Sequence, residues 1–164
     1  MDLYPHRVKL IEETAKRLGI NSIKVKVKDA TEIEEAFYNK FDRIIADVPC
    51  SGLGVIRKKP DIKFNIAEED IEKINEIQKK ILENASLYLK AGGILVYSTC
   101  TNVFKENQET IKWFLDKNKN FKIVTDESLI PKEWLSGLKD GMLSLLPNKH
   151  GCDGFFICCL TKVE

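Results

Sequence analysis

The chain has 164 residues, of which 43% are hydrophobic and 31% are charged, a composition typical of one globular domain. Its 26 basic and 25 acidic residues give a net charge of +1, which excludes a uniformly basic surface for nucleic acid. No apolar run reaches the roughly 18 residues of a membrane span, and no secretory signal is recognisable. We therefore expect a cytoplasmic protein without a membrane partner.

The first part of the chain predicts alternating helices and strands. Pro5 and helically spaced apolar residues predict a helix that Gly19 ends. Strict alternation over residues 23–27 predicts a strand, and residues 31–37 predict a turn of helix. The apolar run over residues 43–46 is typical of a buried parallel strand.

The second part continues this alternation. Residues 67–89 predict the longest helix, with acidic residues at its start, and residues 94–97 predict another buried strand. The remaining segments predict a helix, a strand, an irregular stretch and a strand, over residues 106–115, 121–124, 131–147 and 155–160. This order indicates an α/β fold with a mostly parallel sheet.

Acidic and thiol side chains follow three of the predicted strands. Asp29 follows the first, Asp47 and then Cys50 follow the second, and Cys100 follows the third. Ligands of open parallel sheets bind at the carboxyl ends of the strands. Because a single helical crossover joins the second and third strands, we expect these strands to be neighbours and both cysteines to face one cleft.

The five cysteines are an odd number without C-x-x-C spacing, so neither a disulfide framework nor a metal site is expected. Cys158 and Cys159 lie in an apolar strand and Cys152 in a glycine-rich turn, where packing roles are expected. Cys50 and Cys100 have polar neighbours, and their position alone is compatible with packing or with chemistry.

Other kinds of site fit less well. Six residues separate Cys50 from Arg57, one more than in the phosphate loop of cysteine phosphatases. Residues 52–54 lack the Gly-Lys-Ser/Thr that completes a P-loop. A cysteine hydrolase would need His150 beside Cys100, and nothing in the sequence places it there.

Four basic residues lie close together in one segment, which is either a solvated loop or a nucleic-acid contact: Arg57, Lys58, Lys59 and Lys63.

Four stretches then resemble known motifs. Residues 47–64 begin Asp-Val-Pro-Cys-Ser-Gly and end Arg-Lys-Lys-Pro-Asp-Ile-Lys-Phe, and residues 97–101 are Tyr-Ser-Thr-Cys-Thr. With residues 2–19 and 146–156, and with Asp29, they resemble in order the motifs of the Sun (Fmu, RsmB) family of RNA 5-methylcytosine methyltransferases. The Arg-x-x-Pro-Asp-Ile-Lys stretch leans toward the branch acting on bacterial small-subunit rRNA.

The resemblance implies a role for each matching residue, with S-adenosylmethionine as the cofactor. Cys100 would be the nucleophile, and Cys50 would help to release the product. Asp47 would contact both the cofactor and the target cytosine. Asp2 would hold the ribose hydroxyls of the cofactor, and Asp29 its adenine.

The implied chemistry explains these residue types. A Cys100 thiolate adding to C6 of cytosine makes C5 nucleophilic enough to accept a methyl group, and proton loss and thiol elimination follow. An acid, here Asp47, must neutralise N3 as the ring gains electrons. The base must leave any stack, so Arg57, Lys59 and Lys63 become candidates to bind RNA phosphates.

The chain departs from the family at its start, since a first strand and a glycine-rich cofactor loop would precede Asp2. We therefore expect residues 1–164 to be a partial class I methyltransferase catalytic domain, a Rossmann-like S-adenosylmethionine-dependent methyltransferase fold truncated at the N-terminus, with strand 1 and most of strand 2 missing. From the family sheet order 3-2-1-4-5-7-6, residues 43–46 should form an exposed edge. Residues 23–27 should close onto it, or two chains should pair there as a homo-oligomer.

Two alternatives remain open at this point. We expect the chain alone to bind S-adenosylmethionine weakly or not at all, and it could then be a non-catalytic fragment that retains at most RNA binding. The substrate could also be tRNA, through a cytosine-C5 methyltransferase of the same family.

Overall fold

The computed structural model describes residues 1–163, which form two compact units, Met1–Glu35 and the residues from Ala36 onward. In the first unit, helix α1 (Pro5–Arg17) begins at the predicted proline. Its first turn contains no acidic residue, but Lys16 and Arg17 lie in its last turn, where cations favour the helix dipole. Val8 and Ala15 are its buried side chains.

The predicted strand over residues 23–27 does not form, which corrects that prediction. Only Val27 pairs, through one parallel bridge to Asp2 in the same unit. The backbone bonds there are Asp2 N–H to Lys26 O at 3.2 Å and Lys28 N–H to Asp2 O at 2.9 Å. Alternating apolar residues need a partner strand to bury one face, and about half of the Ile23 surface stays exposed.

The second unit contains a six-stranded sheet in the order β1-β2-β6-β5-β4, with β3 also paired to β6. The strands are β1 (Phe41–Asp47), β2 (Leu89–Thr99), β3 (Phe121–Ile123), β4 (Leu138–Lys139), β5 (Met142–Leu145) and β6 (Phe155–Lys162). The β1-β2-β6-β3 path matches strands 4-5-7-6 of the expected order. Because β1 ends the sheet, the expected edge at residues 43–46 is present.

The sheet is not mostly parallel, contrary to the prediction from element order. Only β1 and β2 pair in parallel, whereas β6 runs antiparallel to β2, β3 and β5, and β4 and β5 form a hairpin. The hairpin falls within residues 131–147, for which the sequence pattern predicts an irregular stretch. Crossover helices force only the β1–β2 step to be parallel.

The helices of this unit pack beside the sheet. They are α2 (Ile62–Asn65), α3 (Glu68–Tyr88), α4 (Thr110–Lys117) and α5 (Pro147–His150), and a π turn spans Lys105–Glu109. At the start of α3, the Ala67 N–H donates to the Asp70 carboxylate at 3.1 Å, which satisfies a backbone donor of the first turn. None of the helices within residues 1–163 is long and apolar enough to span a membrane.

The core lies between these helices and β2 and β6. Leu82 of α3, Phe114 of α4 and Tyr97 of β2 are fully buried together with Phe156 of β6. Tyr97 meets Phe156 edge to face at 6.3 Å between ring centroids. This packing fixes the β2–β6 pair, and so the end of β2, against α3 and the π turn.

Candidate active site

The site is built where β1 and β2 end side by side. Asp47 and Ser98 are register partners in the parallel pair, and the Val48 N–H extends the pairing to Ser98 O at 3.1 Å. Cys50 lies three residues beyond Asp47, and Cys100 comes directly after Thr99, the last residue of β2. The expectation that these strands are neighbours is confirmed.

The two thiols are in contact, with 3.2 Å between the Cys50 and Cys100 Sγ atoms, and both are half-buried. The loop after Cys50 turns back on the Cys100 segment, where the Gly54 N–H donates to Cys100 O at 3.0 Å. A side chain at position 54 would overlap the carbonyl oxygens of Gly154 and Cys100. Glycine is therefore required at position 54, because the loop after Cys50 approaches the backbone at both Cys100 and Gly154.

The contact sets the protonation of the pair. Accepting a hydrogen bond from Cys50 lowers the pKa of Cys100 to about 7, although burial and the Asp47 charge act in the opposite direction. Donation of its S–H to Cys100, together with burial, raises the pKa of Cys50. Cys50, the more deeply enclosed thiol, thus keeps the proton and Cys100 is the readily ionised one.

Asp47 is an exposed carboxylate at the rim of this site. Its Oδ1 accepts a hydrogen bond from the Ser98 hydroxyl at 2.9 Å, which connects the ends of β1 and β2 through side chains. The structure therefore brings Asp47, Cys50 and Cys100 to one end of the parallel pair.

The basic segment begins directly after the Cys50 loop. Arg57, Lys59 and Lys63 are exposed, and none of them forms an ion pair with another residue of the described chain. Lys58, which is not among the predicted RNA contacts, pairs with Asp153 at 2.5 Å. Lys63 Nζ lies 4.7 Å from the centroid of the largely exposed Phe64 ring.

Asp2 and Asp29 both belong to the first unit, on segments joined by the Asp2–Val27 bridge. Asp2 Oδ1 accepts from the Tyr4 N–H at 2.9 Å, and Asp2 Oδ2 lies 3.8 Å from Arg7. Asp29 Oδ1 accepts from Thr31 N–H at 2.8 Å and from the Thr31 hydroxyl at 2.7 Å. These bonds orient both carboxylates near the single bridge that joins their two segments.

His150 is engaged elsewhere, which removes the base that a cysteine hydrolase would need. Its Nδ1 accepts from the Leu146 N–H at 2.9 Å, so its Nε2 carries the hydrogen and faces the Ser136 hydroxyl at 3.1 Å. Among the other cysteines, Cys158 is buried, and burial raises its pKa to about 12, as its predicted packing role requires.

Sequence reasoning missed the polar side chains that connect the two cysteine segments. The Ser51 hydroxyl lies 2.7 Å from the Thr101 hydroxyl, and the Ser51 N–H donates to the fully buried Glu106 carboxylate at 2.9 Å. Ser51 and Thr101 belong to the two motifs that drew attention to the cysteines. Glu106 carries no such signal, since acidic residues are seldom fully buried.

Curated proteins similar in sequence to this chain are ribosomal RNA methyltransferases. The probable ribosomal RNA small subunit methyltransferase B of Bacillus subtilis is 44% identical to this chain. The aligned region spans 99% of this chain and 37% of that protein. The ribosomal RNA small subunit methyltransferase F of Cronobacter sakazakii is 35% identical over 95% of the chain and 33% of its own length. The chain thus spans about a third of the length of these curated relatives.

Solved methyltransferase structures superpose on this chain. The structure of NSun6 from Pyrococcus horikoshii with SFG, an analogue of S-adenosylmethionine, superposes with a TM-score of 0.83 at 31% identity, covering 99% of this chain and 40% of that one. A methyltransferase homolog protein from the same organism gives 0.80 at 28% identity, over 99% and 52% of the two chains. The described elements are thus part of an α/β, Rossmann-like methyltransferase fold.

A family model described as 16S rRNA methyltransferase RsmB/F matches residues 1–161. That match includes both cysteine motifs, the basic segment and almost the whole of β6. The chain therefore belongs to the RsmB/F family of 16S rRNA methyltransferases.

Proposed function

We propose that this chain, as a partial class I methyltransferase catalytic domain, carries the cytosine-handling half of an S-adenosylmethionine-dependent RNA methyltransferase. The reaction is methylation of cytosine C5 in small-subunit rRNA through a covalent adduct with the protein. The observation that carries this proposal is the 3.2 Å contact between Cys50 and Cys100 at the end of β1 and β2. The named relatives support an rRNA substrate, which would place the protein in the cytoplasm.

Cys100 is the nucleophile in this proposal. Its lowered pKa keeps a useful fraction as thiolate at neutral pH, and the thiolate adds to C6 of the pyrimidine. The addition pushes electrons to C5 and N3. Asp47 is assigned the proton that neutralises N3, a role that requires the bound base to shield this exposed carboxylate from water. After C5 has taken the methyl group, it loses its proton to a base of the site or to water, and the electrons of that C–H bond expel the Cys100 thiolate from C6. Cys50 assists this release of the base.

The cofactor is proposed on the chemistry of the carboxylates. Asp2 and Asp29 of the first unit offer acceptor oxygens of the kind that ribose hydroxyls and an adenine amine require. The family resemblance assigns a cofactor contact to Asp47 of the second unit as well. When bound, S-adenosylmethionine supplies an electrophilic methyl group. The NSun6 structure with SFG supports this choice of cofactor.

The basic segment is proposed to hold the RNA. Arg57, Lys59 and Lys63 have uncommitted charges close in sequence to Cys50, so they can neutralise phosphates on either side of an extruded cytosine. Lys58 is excluded from this set because Asp153 already neutralises it.

The test uses the purified chain with a small-subunit rRNA transcript and a saturating concentration of S-adenosylmethionine labelled in its methyl group, because the chain alone is expected to bind the cofactor weakly. We expect label at cytosine C5, located by mass spectrometry. Cys100→Ala should lower the rate by at least roughly 1,000-fold, because the nucleophile is gone. Cys50→Ala should instead accumulate an RNA–protein adduct that survives denaturing electrophoresis.

Cys152→Ala is the matched control and should leave methylation and adduct level unchanged. An adduct formed by the Cys100→Ala variant would refute the assignment of the nucleophile. RNA retention without methyl transfer would support the alternative of a non-catalytic RNA-binding fragment. Preferential labelling of a tRNA transcript would favour the tRNA alternative.

A further inference from the structure

A π turn follows the Cys100 segment and precedes α4. Over Lys105–Glu109 the backbone hydrogen bonds join residues five apart instead of four. For example, the Glu109 N–H donates to Phe104 O at 3.2 Å. The Tyr97 hydroxyl donates to Glu106 O at 2.7 Å. The wider turn buries two consecutive polar side chains, Glu106 at 0% and Asn107 at 2% exposure.

Glu106 holds the segment that carries Cys50. One carboxylate oxygen accepts from the Ser51 N–H at 2.9 Å and from the Gln78 side-chain amide at 2.8 Å. The other accepts from the Ser51 hydroxyl at 2.5 Å. The same Gln78 amide donates to Pro49 O at 2.9 Å. The residues immediately before and after Cys50 are therefore both tied to this network.

Asn107 holds the segment that carries Cys100 in the same way. Its Oδ1 accepts from the Thr99 hydroxyl at 2.7 Å, and its Nδ2 donates to Thr101 O at 2.9 Å. These contacts lie immediately before and after Cys100. The 2.7 Å contact between the Ser51 and Thr101 hydroxyls then joins the two segments directly.

We propose that Glu106 and Asn107 are positioning residues, which hold the two cysteine segments so that Cys50 contacts Cys100. A fully buried carboxylate is costly unless it is well bonded, and Glu106 has three neutral donors and no ion-pair partner within the described chain. Such a group is replaceable by apolar packing where only stability matters. The inference rests on the proposed function for the roles of the two cysteines.

The alkylation of Cys100 by iodoacetamide, followed on its peptide by mass spectrometry, tests this without RNA, cofactor or turnover. Only the thiolate reacts, so the wild-type rate should rise with pH through about 7. Cys50→Ala removes the donor to the thiolate. Its curve should move toward the ordinary thiol pKa of about 8.5, and the rate at pH 7 should fall roughly tenfold.

Glu106→Ala and Asn107→Ala should reproduce that upward shift, because Cys50 is released from Cys100. Combined with Cys50→Ala, they should add no further upward shift, since all three remove the same contact. Glu106→Gln should not shift the curve upward. Glutamine still accepts from Ser51 N–H and Gln78, and it can donate to the Ser51 hydroxyl, which can turn toward Thr101.

The two Glu106 variants separate positioning from charge. The Glu106 charge raises the pKa of Cys100, so a purely electrostatic role would make both variants react at lower pH than the wild type. Glu109→Ala, an exposed residue of the same turn, is the matched control and should leave the curve unchanged. Circular dichroism establishes that each variant is folded.

Wild-type curves for folded Glu106→Ala and Asn107→Ala, or shifts that add to that of Cys50→Ala, would overturn the proposal. If Glu106→Ala does not fold, Ser51→Ala replaces it, since it deletes the hydroxyl contacts and keeps the N–H; an unshifted curve would then count against the proposal. The expected shifts in a chain without methyl transfer would refute the proposed function and leave the positioning role intact.

Discussion

At the scale of single residues, Gly54 is where a small change should disturb the site, since any side chain there would overlap the Gly154 and Cys100 carbonyl oxygens. Gly54→Ala should lower the free energy of unfolding by roughly 1–3 kcal/mol, measured by urea denaturation. It should also slow Cys100 alkylation at pH 7, because the loop that carries Cys50 must move away. Gly92→Ala, where a side chain meets open space at a φ of +71°, should cost only about 1 kcal/mol and leave alkylation unchanged. Equal effects on alkylation at both positions would contradict this account.

Single residues of the site differ in how far the sequence identifies them. Cys50 and Cys100 could be placed together because each follows a strand end within a specific motif. Glu106 and Asn107 could not, because a polar run before Ile111 predicts an ordinary exposed helix start. Their burial depends on a π turn, and no residue pattern in the chain indicates that turn.

Among the secondary-structure elements, the long periodic ones were predictable and those that depend on a partner were not. α3 matches the helix predicted over residues 67–89 to within one residue at each end, and β2 covers the predicted residues 94–97, because burial pattern and length agree there. Residues 23–27 alternate as a strand should, but only Asp2 pairs with them. The β4–β5 hairpin was missed although Asp140-Gly141 signals it, with φ values of 51° and 77° that suit a tight hairpin turn.

The basic segment between β1 and α3 is predicted to bind RNA phosphates. Replacing Arg57, Lys59 and Lys63 with Ala should weaken binding of single-stranded RNA in fluorescence anisotropy. The slope of log affinity against log salt should fall by about 0.7 for each phosphate that the variant no longer neutralises. An equal charge change at the exposed lysines of α4, β3 and β4, namely Lys112, Lys122 and Lys139, should have little effect. Equal weakening by both triple variants would show that the segment acts only through net charge.

At the scale of the whole molecule, the order of strands was predictable from the family motifs, whereas their directions were not predictable from element order alone. The path β1-β2-β6-β3 follows the expected order, and it leaves β1 at the end of the sheet with Ile45 76% exposed.

An edge strand presents unpaired backbone groups that recruit another strand. We therefore expect two copies of the chain to associate through β1, so that light scattering detects a dimer at micromolar concentration. Ile45→Lys should restore the monomer, because a charge on the edge opposes pairing. Leu129→Lys, at a side chain that is 80% exposed outside the sheet, should leave the dimer intact. A wild-type chain that stays monomeric, or a dimer that tolerates Ile45→Lys and dissociates with Leu129→Lys, would show that this edge does not bind a second copy.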